Sequence, residues 1–176
     1  MRHRLIIFGA LATLALTAAA AAVAGNLTAT ATVSGAAGVS LALPGNPSIS
    51  DTLDGTDQTV TYAPLLGVVD ARGSGGGWNL TISATNFIDG SGDTLAPGTI
   101  SAVAQACSSG SSCTPATNAI TYPLTVNGSA AKFFNAATNT GLGQINVTPT
   151  VAVLIPGNAY AGTYTSTVTL AVTAGP

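Results

Sequence analysis

Charge is what this sequence has least of. Only 6% of its residues are charged, Glu is absent, and the single histidine is His3. With no His after position 3, a Ser-His-Asp or Cys-His nucleophile has no base to activate it in the body of the chain. A glycosidase pair would have to come from the six Asp, which sit mostly in Gly-rich turns where Asp ordinarily shapes the turn. Nothing in the residues recommends an enzyme. Cations are scarcer still: past Arg2 and Arg4 there are only Arg72 and Lys132. That leaves no basic patch, which excludes nucleic acid and anionic lipid surfaces as partners. Good helix formers are nearly missing, whereas Thr and Val abound, and this favours strands. The surface must therefore be built of Thr, Ser, Asn and Gly.

Two cysteines are present, Cys107 and Cys113, in a Ser/Gly-rich stretch. In an oxidising compartment so close a pair predicts one disulfide closing a small loop. A zinc site would need further His or Cys ligands that the sequence does not supply.

The N-terminus accounts for the oxidising compartment. Arg2, His3 and Arg4 form a basic start, and Leu5 to Val23 run without a charge. Ala22-Val23-Ala24 then offers a small-x-small cleavage pattern. Residues 1–24 are expected to be a signal peptide cleaved before Gly25. The rival is a retained membrane helix, but the second half of the run is mostly Ala and no charged stop-transfer cluster follows. No Cys stands just after the leader, and Thr169–Pro176 carries neither an apolar tail nor a basic cluster. Lipid, sorting-signal and GPI-type anchors are thus not expected either. The product, 25–176, is expected to be one secreted domain without stable membrane insertion.

Strict alternation of apolar and hydroxyl residues marks three segments. Leu27, Ala29, Ala31 and Val33 alternate with Thr28, Thr30, Thr32 and Ser34. Trp78, Leu80, Ile82 and Ala84 alternate with Asn79, Thr81, Ser83 and Thr85. Tyr164, Ser166, Val168, Leu170 and Val172 alternate with Thr163, Thr165, Thr167, Thr169 and Ala171. A period of two places each as a half-buried antiparallel strand. Weaker strand patterns lie at 39–43, 59–62, 66–70, 99–104, 119–126, 132–134 and 144–155. Pro44-Gly45-Asn46-Pro47, Gly73 to Gly77, Asp89 to Asp93 and Pro156-Gly157-Asn158 punctuate them. Pro149 inside the last long pattern predicts a bulge or an edge position. With no convincing helix and no internal repeat, the expected architecture is all-β. It is an antiparallel two-sheet β-sandwich of Ig-like or Greek-key type, in a single domain.

Two sets of residues invite a functional reading. Asp51, Asp54 and Asp57 are spaced three apart, and Asp89 and Asp93 bracket Gly90-Ser91-Gly92. Both are ordinary solvated turns or, alternatively, weak calcium sites, although neither has the ligand spacing of an EF-hand loop. Calcium is the only cofactor the acids admit. The second set is Asp70-Ala71-Arg72-Gly73, a glycine run, and then Gly77-Trp78-Asn79-Leu80. It reads as a core Trp beside an ion pair, or as a ligand-contacting Trp.

This Asp-x-Arg-Gly turn followed by Gly-Trp-x-Leu and a Thr-rich strand resembles the first signature of the WxL domain, a family of secreted bacterial surface proteins. The tail, with Pro156 and then Ala161 to Pro176 including Tyr164, resembles the family's C-terminal signature. Where the family has a second Trp-x-Leu, this chain has Leu170-Ala171-Val172. The resemblance implies non-covalent attachment to the cell wall, with wall polymer or other surface proteins as partners. Asp70, Arg72, Gly77, Trp78, Leu80 and Tyr164 are the candidate site. The other reading is a structural subunit of an extracellular filament or surface layer, a homo-oligomer assembled by strand addition.

Overall fold

The computed structural model describes residues 29–176; the expected signal peptide, 1–24, lies outside them. Within Val33–Pro176 twelve strands are seen. In chain order these are β1 (Val39–Ala42), β2 (Gln58–Tyr62), β3 (Leu66–Asp70), β4 (Trp78–Ala84), β5 (Phe87–Ile88) and β6 (Thr94–Leu95). They continue with β7 (Thr99–Cys107), β8 (Cys113–Thr114), β9 (Leu124–Thr125), β10 (Ala131–Ala136), β11 (Leu142–Ile155) and β12 (Val168–Ala174). Every named pairing is antiparallel.

The long β11 organises the larger sheet, ordered β1-β3-β11-β7-β9, with β2 and β8 also paired to β11. The smaller sheet is β10-β4-β12. One apolar cluster draws on both. Leu66, Val68, Ile100, Ile145, Val147 and Val151 come from the first sheet, and Trp78, Leu80, Ile82, Phe133, Phe134 and Ala136 from the second. The chain is therefore the two-sheet β-sandwich its alternation predicts. Burying each Leu, Ile or Phe of that cluster contributes about 1.5–3 kcal/mol.

Alternation predicts the inward faces well. In β4 Trp78, Leu80, Ile82 and Ala84 are buried, and in β11 Ile145, Val147, Pro149, Val151 and Val153 all face in. Pro149 is tolerated because of where it falls. β3 pairs with β11 only as far as Val147 and β2 begins at Val151, so β11 has no partner there on that side. On the other side the ladder to β7 shifts register between Thr150 and Val151, where β7 carries Ser101 as an extra residue. A residue without an N–H fits such a gap.

Three expected strands need correction. Over the alternating stretch from Leu27 to Ser34, the described residues 29–34 form no strand and are exposed, Val33 at 93%. Alternating Ala and Thr bury too little apolar surface to hold a strand that has no partner. The expected strand 119–126 shrinks to Leu124–Thr125. Upstream of it, side-chain amides replace the ladder: Asn118 Oδ1 accepts from the Asn135 and Ile120 amides, and Asn135 Oδ1 accepts from the Ala119 amide. The final strand starts at Val168 rather than Thr163, because its partner β4 ends at Ala84. Before that point only Thr165 bridges to Ile88. Its phase is the expected one, with Leu170 and Val172 packed on the core and Ala171 exposed. The two-residue strands β5, β6 and β8 are too short to show a period.

Candidate functional site

The Asp-x-Arg-Gly turn joins the two sheets. Asp70 ends β3 and is 2% exposed, and Arg72 lies in the turn beyond it. The guanidinium grips the carboxylate with two hydrogen bonds, Nε to Oδ1 and Nη2 to Oδ2, both 2.8 Å. The Arg72 amide also donates to Oδ1, at 3.2 Å. This bidentate geometry suits a planar fork and makes the bonds charge-assisted. The Arg72 guanidinium holds the Asp70 carboxyl below its ordinary value of 3.8, against the opposing effect of burial.

Arg72 does more than neutralise an acid. Its Nη2 donates to the Gly77 carbonyl at 2.7 Å, and the Gly175 amide donates to that same oxygen at 3.0 Å. Gly77 has φ +69°, and a Cβ there would lie 2.5 Å from the Ala136 carbonyl, so both the conformation and the space require glycine. Next in the chain, Trp78 is fully buried. Its ring lies 5.8 Å from that of Phe134, and its Nε1 donates to the Gly141 carbonyl at 2.8 Å. Asn79 Nδ2 then donates to the Gly175 carbonyl at 2.8 Å. Gly77 and Asn79 thus fasten Gly175, just past the end of β12, while the indole between them is tied to Gly141. The two stretches that carry the family resemblance are bonded neighbours: Trp78 stands opposite Ala174, Leu80 opposite Val172 and Ile82 opposite Leu170.

Of the candidate residues, Asp70, Arg72, Gly77, Trp78 and Leu80 come together, and Asp70, Trp78 and Leu80 are buried there. No face of the indole reaches solvent. Leu170, where the family pattern has its second Trp, is half-buried against the core. Tyr164 is not part of this cluster. It lies in a groove of about 870 Å³ bounded by Pro47–Leu53 and Ala159–Thr165. Cys107 and Cys113 form the expected disulfide, with Cα atoms 5.6 Å apart, at the ends of β7 and β8 where both pair with β11.

Asp54 and Asp89 shape their own turns, whereas Asp57 ties two distant segments together. Asp54 Oδ1 accepts from both the amide and the hydroxyl of Thr56, and these bonds hold its carboxyl below the ordinary value. Asp57 Oδ1 accepts from the Gly157 amide, and Asp89 Oδ1 from the Ser91 and Asp93 amides. Among the described residues, no three metal-ligating side chains converge.

Sequence reading missed Asn79, Gly141 and Gly175 as members of the clamp. Gly141, at φ +71° against Trp78, had a signal in Gly141-Leu142-Gly143, a glycine pair flanking the start of a strand. It also missed the groove, since Ile49, Leu53, Phe87 and Tyr160 share no period and no motif.

The family model described as "WxL domain surface cell wall-binding" matches residues 16–176. Sequence comparison with curated proteins finds no relative.

Proposed function

Because the chain belongs to the WxL family of surface, cell-wall-binding domains, we propose that it is exported by cleavage before Gly25. It is then held at the wall by non-covalent contacts of its folded surface, without catalysis. Cell-surface and wall association follows from the family itself; among the described residues, no helix is long and apolar enough to cross a membrane. The observation that carries the finer reading is the complete burial of Trp78. A side chain with no exposed surface and a satisfied Nε1 contributes architecture, and wall contact falls to side chains that solvent reaches. On this reading the absence of a second Trp at Leu170 costs packing area and no ligand contact. Fractionating producing cells into wall, membrane and medium, and sequencing the N-terminus of each pool, tests it. The expected result is wall-associated protein beginning at Gly25. Protein found wholly in the medium, or retained in the membrane with residues 1–24 attached, would refute it.

A second reading, assembly between copies, is favoured by one observation. Residues 29–34 alternate like a strand yet pair with nothing among the described residues, while β12 has β4 on one side only there and carries no charge, proline or bulge to guard its edge. Light scattering at high concentration decides it, since a purely monomeric species leaves that edge without an occupant.

A further inference from the structure

The groove near Tyr164 lies apart from the Trp78 turn, and only one of its walls belongs to the family signature. Its wall on one side is the Pro47–Leu53 strap, part of a long segment between β1 and β2 without secondary structure. Long loops of this kind in compact domains commonly carry binding function. The strap does not stand free. Gln58 Nε2 donates to the Thr52 carbonyl, Asp57 ties the segment's end to Gly157, and a Cβ at Gly157 would lie 2.6 Å from the Gly55 carbonyl. The opposite wall is Ala159–Thr165. There the Tyr164 hydroxyl donates to the Tyr160 carbonyl at 2.9 Å, which fixes one ring and leaves Tyr160 70% exposed.

The depression does not end at Tyr164. A second hollow of about 480 Å³ shares Pro47, Ile49, Phe87, Tyr164 and Thr165 with the first, so the two form one elongated trough. At about 870 Å³ the first hollow alone is near the upper end of a small-molecule cleft, so the trough has room for a segment of polymer. Its lining is apolar and aromatic, with Ile49 and Leu53 exposed at 40% and 36%, and Ser48, Ser50 and Thr163 add hydroxyl-bearing residues to it. Flat apolar rings beside hydrogen-bonding groups match a saccharide, which presents C–H faces and hydroxyl edges together.

Charge narrows the class. Asp51 lines the groove, and burial together with the Asp89 and Asp93 carboxylates pushes the Tyr164 phenol up. Among the described residues no cation answers them: Arg72 is held by Asp70, and Lys132 Nζ donates to the Pro176 carbonyl. A phosphate-rich polymer would meet a field of its own sign.

We propose that this trough is a saccharide site that takes a glycan strand of the cell wall, not the wall's anionic phosphate polymers, with Tyr160 as the principal stacking residue. The proposal rests on the wall-binding reading above and locates the contact. The test uses the exported full chain and two preparations, intact walls and the same walls stripped of phosphate polymers with hydrofluoric acid. Native protein is expected to co-sediment with both. Tyr160→Ala should weaken binding about tenfold without a change in Tm, and Tyr160→Phe should restore it. Unchanged binding by Tyr160→Ala would remove the trough as the site and leave wall binding intact. Binding lost on stripping would overturn the choice of glycan over phosphate polymer. Native protein that sediments with neither preparation would overturn the wall-binding reading itself.

Discussion

The turn that carries the family signature and the trough beside Tyr164 are opposites in almost every physical respect. In the first, Asp70, Trp78 and Asn79 are buried and hydrogen-bonded within the fold. In the second, Tyr160, Ile49 and Leu53 lie open to solvent, and the wall is a strap without regular secondary structure. A region whose polar groups bond chiefly within the fold has little left with which to bind anything. A region with exposed aromatic surface keeps apolar area in contact with water that a ligand can displace. The signature turn around Trp78 therefore reports how the domain is closed, whereas the trough joins part of the C-terminal signature, Ala161–Thr165, to a strap that carries no pattern.

The largest test of that contrast is Trp78→Ala. Removing a fully buried indole and its bond to Gly141 should cost about 3–5 kcal/mol, read as a fall in the urea midpoint. At temperatures where the variant is still folded, its affinity for walls should match that of the native protein. A specific loss of affinity in a folded variant would place the motif at the ligand and collapse the distinction.

Arg72→Ala comes next. It leaves Asp70 buried without its partner and should cost about 3 kcal/mol at pH 7. The sign of the pH dependence follows from the direction of the shift. The native carboxyl is held below 3.8, so the pair's stabilisation is present above that ordinary value and is lost as pH falls through the lower folded one. In the variant, burial without a countercharge favours the protonated acid instead. The gap between the two proteins should therefore narrow as pH drops below about 4. A gap that stays constant down to pH 2 in chemical denaturation would show that Asp70 is not the residue in question.

The smallest effect is expected for Cys107→Ser with Cys113→Ser. The loop is short, so the loss should be about 2 kcal/mol, seen as a modest fall in Tm. Because the bridge closes β7 and β8 onto β11 and touches neither region, wall binding should not change. Altered binding would show that the two regions are coupled through β11.

Much of the fold was legible because period-two alternation states both the strand and its buried face. Trp78–Ala84 and the phase of Leu170 and Val172 needed no structure to be read. Alternation failed at residues 29–34, since it says which face a strand would bury and not whether a partner exists. It failed again at 119–126, where Asn118 and Asn135 supply the hydrogen bonds that a ladder would have made. Within the signature, the Asp70–Arg72 ion pair was legible from spacing. The role of Asn79 was not, because Gly175 lies almost a hundred residues further along the chain.

What the sequence by itself determined is the class of protein: β-rich, nearly without cations, bridged once by a disulfide, and carrying a signature turn whose glycines admit few alternatives. Those properties are local, and each is set by residue type and spacing. The tertiary structure alone decided what that signature faces. It closed Trp78 away from solvent, brought Gly77 and Asn79 onto Gly175, and set Tyr160 beside a strap from the other end of the domain. Such contacts join residues far apart in the chain, and their energies depend on which surfaces meet, which no local pattern records.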